Sequence, residues 1–140
     1  MKFKTPLLIA IISLVFASCS SKKEVTEEKL YTSSWELEYM SGPRIAFNGL
    51  FPDEKPHLTF DKTTKTVSGS DSCNGYSAPF VITDSKLTFG EAGPATLRYC
   101  GEGERQFRSM INKINKYSFD ADGKLNFMID DISVMRFKKK

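Results

Sequence analysis

The sequence predicts an α+β fold that is mostly β: an antiparallel, strongly curved sheet or partly open barrel of about eight short strands, with one amphipathic helix. Three observations lead there. Short runs alternate apolar and polar residues, as half-buried strands do. Turn-forming residues, above all the pair Asp122-Gly123, separate these runs at hairpin spacing. A single segment, residues 103–115, changes to helical spacing.

Trp35-Glu36-Leu37-Glu38-Tyr39 is the first strand by its strict alternation. Residues 40–56 follow as an irregular stretch punctuated by Gly42-Pro43, Asn48-Gly49 and Phe51-Pro52, with room for a short strand at 44–47. His57 to Phe60 and Thr66 to Gly69 form a hairpin around the polar turn 61–65. A small-residue turn, 70–75, leads into the strand at 76–82. Pro79 lacks a ladder donor, which places that strand at an edge or at a bulge. Residues 86–89 return from a turn at Asp84-Ser85. In the helical segment, Phe107, Met110, Ile111 and Ile114 share one face. Glu102 and Glu104 at its start and Lys113 and Lys116 at its end suit the helix dipole. Strands at 117–119, 125–129 and 132–137 close the chain. The meander with a late helix implies a curved sheet with the helix against its open side.

The N-terminus carries different information. Lys2 and Lys4 precede an apolar run from Leu7 to Phe16, broken only by Ser13, followed by Ala17, Ser18 and Cys19. This is the layout of a secretory signal, and the run is shorter than the ~20 residues a spanning helix needs. Phe16-Ala17-Ser18-Cys19 resembles the lipobox of bacterial lipoproteins, with Phe where Leu is usual. That resemblance implies cleavage before Cys19, lipidation of its sulfur, and anchoring to the membrane by acyl chains that each bury many methylenes at ~0.8 kcal/mol apiece. Residues 1–18 are thus read as a signal peptide, 19–30 as a lipidated cysteine with a flexible polar tether, and 31–140 as one domain. Ser20 after the cysteine favours the outer membrane by the familiar sorting rule. No second domain or repeat is visible.

Composition excludes some classes. Removing residues 1–18 takes two of the 20 basic residues and none of the 17 acidic ones. The near-neutral remainder gives no reason to expect nucleic acid as a partner. Of the three cysteines, Cys19 is assigned to lipid, leaving Cys73 and Cys100 in a compartment that permits disulfides. A bridge between them adds ~3 kcal/mol in the chain-entropy account. Two buried free thiols are the other reading. His57 is the one histidine, inside a strand, and nothing in the sequence places it beside a cysteine as a nucleophile pair. Asp71, Glu102, Glu104 and the aspartates at 120, 122, 130 and 131 are scattered over turns and a helix end. No metal site, cofactor or catalytic set is expected.

The turn before the 76–82 strand carries a family resemblance. Gly69-Ser70-Asp71-Ser72-Cys73-Asn74-Gly75-Tyr76 is similar to the G-x-x-G-C-N-x-[YF] motif of the META domain, the family of the heat-shock lipoprotein HslJ. Further pieces follow in order. Trp35 and Leu37 resemble its opening W-x-L strand, and Leu87-Thr88-Phe89 its L-x-F strand. Thr96 to Cys100 resembles T-x-M-x-C with Arg98 for Met. Glu104 and Phe107 resemble the start of its helix, and Leu125 and Phe137 fit its closing hairpin. Ser72 replaces a family glycine, which implies a less extreme backbone there. The resemblance implies a compact β-rich fold and a setting in envelope integrity or stress tolerance, without an enzymatic mechanism.

From the residues themselves, Asn74 and Gly75 tolerate left-handed backbone. Cys73-Asn74-Gly75 is expected to meet Thr96 to Cys100 and lock the sheet to the helix approach. Two functions compete: a non-enzymatic envelope lipoprotein acting through protein contacts, or a module binding a small hydrophobic molecule, lipid or peptide in the groove of a partly open barrel. Ile45, Phe47, Leu50 and Phe51 discriminate them, since they either plug the barrel or rim a pocket.

Overall fold

The computed structural model describes residues 26–96 and 98–140. The segment read as a signal peptide, residues 1–18, and Cys19 lie outside these residues. Eight antiparallel strands follow one another in sequence order and close into one ring: β1 (Ser34–Met40), β2 (His57–Asp61), β3 (Thr66–Ser70), β4 (Gly75–Thr83), β5 (Lys86–Phe89), β6 (Lys116–Phe119), β7 (Leu125–Ile129) and β8 (Ile132–Lys139). Helical backbone occurs at α1 (residues 26–31), α2 (Phe47–Leu50) and α3 (Glu102–Ile111). Among the described residues no helix is long and apolar enough to cross a membrane.

Alternation sets which side chains point inward. Trp35, Leu37, Leu58, Phe60, Val67, Tyr76, Ala78, Phe80, Leu87, Leu125, Phe127 and Phe137 are all buried, each on the inward phase of its strand. The interior is largely aromatic. Phe127 contacts Phe137 at 4.7 Å between centroids, and Phe60 meets Phe80 edge-on at 5.1 Å, the offset geometry that ring quadrupoles favour.

Two bulges bend the ring. On β1, Leu37 faces Phe137 while Tyr39 faces Arg136, so Glu38 is the extra residue. Its carboxylate accepts Lys124 Nζ at 2.8 Å and Arg136 Nε at 2.6 Å, tying β1 to the strands that close the ring. On β8, Val134 is the extra residue, between the pairs Phe127↔Met135 and Met128↔Ser133. That bulge explains why consecutive residues Val134 and Met135 are both buried.

The ring is closed, where a partly open wall was one expectation. Its thinnest seam lies between β5 and β6, which share the single register pair Lys86↔Lys116. Backbone bonds from Leu87 N–H to Asn115 O (3.2 Å) and from Tyr117 N–H to Ser85 O (3.0 Å) flank it. Closure also changes the meaning of Pro79. It lies neither on an edge strand nor at a bulge. β4 pairs with β3 up to Thr66↔Pro79 and with β5 from Phe80↔Phe89 onward, so Pro79 stands where β4 passes from one partner to the other.

Both mouths of the ring are stoppered. α2 and α3 occupy the β1–β2 and β5–β6 connections at one pole, joined there by the β3–β4 turn. Leu50, Phe51, Phe107 and Ile111 are buried there. The possible strand at 44–47 is not formed; Phe47 begins α2 instead. α3 is shorter than the 103–115 stripe, yet Phe107, Ile111 and Ile114 are all buried with Met110 packed against them. A Cβ on Gly103 would lie 2.3 Å from the Leu50 carbonyl oxygen, so only glycine lets α3 approach α2 this closely. α1 closes the opposite pole. Residues 26–30, expected within the flexible tether, are instead part of this helix. The reason is tertiary: Leu30 is fully buried and its carbonyl accepts the Trp35 indole N–H at 3.0 Å.

Hydrogen bonding from Lys124, with a further contribution from Arg136, holds the Glu38 carboxyl below its ordinary range against the opposing effect of burial. A depressed carboxyl contributes stability that is present above its unfolded pKa and lost as pH falls through the folded value. Urea unfolding of Glu38→Gln across the acid range therefore shows a stability deficit that is constant near neutrality and shrinks below the normal glutamate range.

Candidate functional site

The turn between β3 and β4 builds a polar centre against α3. Asp71 is fully buried and Asn74 nearly so, and among the described residues these are the buried polar side chains. Burial of a carboxylate requires both hydrogen bonds and a cation, and Asp71 has them. Its Oδ1 accepts the backbone N–H groups of Cys73 (3.0 Å) and Asn74 (2.7 Å). Its Oδ2 accepts Arg108 Nε at 2.6 Å. The Arg108 guanidinium also donates to Gly75 O at 3.3 Å and lies 5.8 Å from the Tyr76 ring centroid.

Asn74 acts in the other direction, on the segment before α3. Its Oδ1 accepts Thr96 Oγ1–H and the Arg98 backbone N–H, each at 3.0 Å. Its Nδ2 donates to Arg98 O at 2.7 Å and to Glu104 Oε2 at 3.2 Å. The amide thus fills its hydrogen-bonding capacity and pairs with both backbone groups of Arg98, as a neighbouring strand would. Cys73 and Cys100 are joined beside it, with Cα atoms 5.8 Å apart. The segments 73–75 and 96–100 therefore meet, and Glu104 at the start of α3 joins them.

The motif glycines and their neighbours divide by backbone need. A Cβ on Gly69 would lie 1.8 Å from His57 O, so no other residue fits there without moving the β2–β3 ladder. Gly75 has open space and no positive φ. The left-handed position is neither Asn74 nor Gly75, as the residue types suggested, but Ser72, at φ 90°. Substitution of the family glycine by Ser72 has not relaxed the turn; a side chain occupies the strained conformation. Tyr76 faces Gly69 in register and packs edge-on against Phe107 at 5.9 Å. Burial pushes its hydroxyl up to about 12.

Trp35 is far from this centre, in the core at the α1 pole, where it contacts Phe119. His57 is half-buried in β2, with Nδ1 3.5 Å from a Glu54 carboxylate oxygen. Two members of the centre were not legible as such in the sequence. Asp71 read as a turn residue, and Arg108 drew no attention. The available signal was the i, i+4 spacing of Glu104 and Arg108, which puts both on one helical face.

The donor atoms of Cys73, Cys100 and Glu104 lie within 4.8 Å of one another. With the sulfurs bonded to each other, neither is a thiolate, the form in which cysteine binds metals or attacks carbonyl groups. What the arrangement does is hold the segment from Gly90 to Cys100 against the ring. Gly90 and Gly93 N–H groups bond to Pro79 O (2.8 Å) and Ser77 O (2.7 Å), Asn74 holds Arg98, and the bridge holds Cys100. Tyr99, between the last two anchors, is 77% exposed.

A model of the META domain matches residues 28–140 of the chain. Among solved structures, an NMR structure of a protein from Burkholderia xenovorans is 20% identical with a TM-score of 0.60, covering 81% of this chain and 85% of that one. A second NMR structure is 17% identical with a TM-score of 0.62, covering 81% and 94%. At these identities the likeness is one of fold. A search of the curated proteins finds no match.

Opposite substitutions in the turn test this account of it. Ser72→Gly removes left-handed strain and raises the unfolding free energy by ~1 kcal/mol. Gly69→Ala forces the ladder apart and lowers it by ~3 kcal/mol, read by denaturant unfolding of the oxidised protein.

Proposed function

The chain belongs to the META domain family, and from that premise we propose that it is a non-enzymatic envelope lipoprotein, anchored through Cys19, that acts in envelope integrity or stress tolerance by contacting another envelope protein. The observation that carries this reading is the state of the polar motif in the β3–β4 turn. Asn74 and Asp71 direct their hydrogen bonds inward, to the chain's own turn, loop and helix, which leaves them committed to structure. What they present outward is a loop fixed at several points with Arg98 and Tyr99 exposed on it. Tyrosine and arginine are the side chains that most often dominate protein interfaces, and a loop already ordered in the free protein loses little entropy on docking.

The pole arrangement supports the same reading. This loop lies with α2 and α3, at the end opposite α1, and α1 follows the segment leading from Cys19. An anchored domain would therefore hold Tyr99 away from its own membrane. The competing reading, a groove for a lipid, small molecule or peptide, needed an open wall with Ile45, Phe47, Leu50 and Phe51 rimming it. The ring is closed, Leu50 and Phe51 are buried inside the pole and Phe47 packs against the core, while Ile45 is 50% exposed; three of the four plug the pole, which favours the first reading.

A photo-crosslinking residue in place of Tyr99, with a second chain carrying it at Val81, tests the reading in intact cells. Val81 is a comparably exposed residue on the ring wall, at 63%. Discrete protein adducts at position 99 and none at 81 are expected. Equal or absent crosslinking at both sites overturns the contact surface. A mature mass without acyl chains on Cys19 overturns the anchor.

A further inference from the structure

The α1 pole carries a second feature. β8 ends with Lys139 in register with Trp35, so Lys139 takes an inward phase where the ring has already run out, at its mouth. Lys29 on α1 lies over the Phe119 ring at 5.7 Å. Between them is a cavity of about 390 Å³, lined by Lys29, Trp35, Phe119, Lys124, Lys138 and Lys139, with Asp122 at its side. Lys124 and Lys138 are balanced by Glu38 (2.8 Å) and Glu36 (3.2 Å). Lys29 and Lys139 make no ion pair among the described residues. The site therefore combines an aromatic floor with two uncompensated ammonium groups, opposed by one aspartate.

We propose that this cavity receives the phosphate and adjoining glycerol of an anionic lipid headgroup in the membrane that holds the anchor. Two independent observations converge on that occupant. The first is chemical: ammonium groups match a phosphate, and an apolar floor matches the carbon skeleton attached to it, which free phosphate lacks. The second is positional. Thr26, the first described residue and part of α1, is seven residues beyond Cys19, a span of at most ~25 Å when fully extended. The α1 pole is thus confined to the neighbourhood of the headgroups, while the loop at the other pole faces away. The proposal rests on the lipid-anchored reading of Cys19; its effect is to orient the domain on its tether.

The test uses residues 19–140 carrying Cys19→Ser, so that binding is read without the anchor. The chain is sedimented with phosphatidylcholine vesicles, with and without phosphatidylglycerol, at low salt. Expected is cosedimentation with the anionic vesicles alone, weakened about 5-fold by each of Lys29→Ala and Lys139→Ala. Lys86→Ala and Lys113→Ala, made singly, each remove the same one charge elsewhere and leave binding unchanged. Equal partition into both vesicle types, or equal loss in these controls, overturns the proposal. Displacement by inorganic phosphate at matched ionic strength marks a free-anion site and overturns the lipid version. An unlipidated Cys19 in the native protein would refute the anchor while leaving the vesicle result intact, so the two failures are distinguishable.

Discussion

A carboxylate with no solvent exposure must find its partners within the protein, and the pairing of Asp71 with Arg108 meets that demand by joining the β3–β4 turn to α3. One oxygen organises the β3–β4 turn by accepting its inner N–H groups. The other holds α3 in place through the guanidinium. Removing either partner would leave the other without its counter-charge at a half-buried contact, which is far more costly than the net worth of the pair. The turn so fixed aims Asn74 at Arg98, and Asn74 in turn fixes the loop that enters α3. Turn, loop and helix are therefore one unit, with the Cys73–Cys100 bridge as its covalent part.

The ring supplies the frame on which that unit sits. Neighbouring strands are joined by short connections except where α2 and α3 intervene, so the contacts that close the wall are mostly local. The exception is the pairing of β1 with β8, which brings the two ends of the domain together. Glu38 marks this closure from the outside and the aromatic interior fills it from within. At the poles the chain uses its own helices as plugs. Gly103 lets α3 and α2 meet at backbone distance, and Leu30 seals α1. A closed wall with filled mouths directs attention to what the surface presents: Tyr99 and Arg98 at one end, lysines around an aromatic floor at the other.

Much of the frame was legible because strand alternation is a local property. The β2–β3 hairpin, β5 and β7 were readable within a residue or two from polar–apolar phase and turn residues. Closure was not readable, because it depends on β1 meeting β8 across the whole chain, and a period of two does not say which strands become neighbours. Pro79 shows the consequence: without knowing that β4 changes partners there, a missing donor reads as an edge. Residues 26–30 look too polar to order, and they order because the single apolar residue Leu30 finds a buried seat beside Trp35. In the site, Cys73, Asn74, Thr96, Cys100 and Glu104 stood out through the family motif. Asp71 and Arg108 did not, because a buried ion pair leaves no trace in one sequence beyond residues that look ordinary on a turn and a helix. The left-handed residue was misplaced for a related reason: residue preference favoured Asn74 or Gly75, and the closed turn imposes the conformation on Ser72.

The central claim is that Asn74 makes the 90–100 loop part of the folded core, and hydrogen exchange at the Arg98 amide addresses it most directly. That N–H is exposed by position on the chain and bonded only to the Asn74 side chain at 3.0 Å. Measured by NMR on the oxidised protein, it should exchange as slowly as the β4 ladder amides, and revert to the rate of an open loop in Asn74→Ala while the ladder stays protected. An Arg98 amide that exchanges at open-loop rates in the unaltered protein, beside protected β4 amides, would contradict the account.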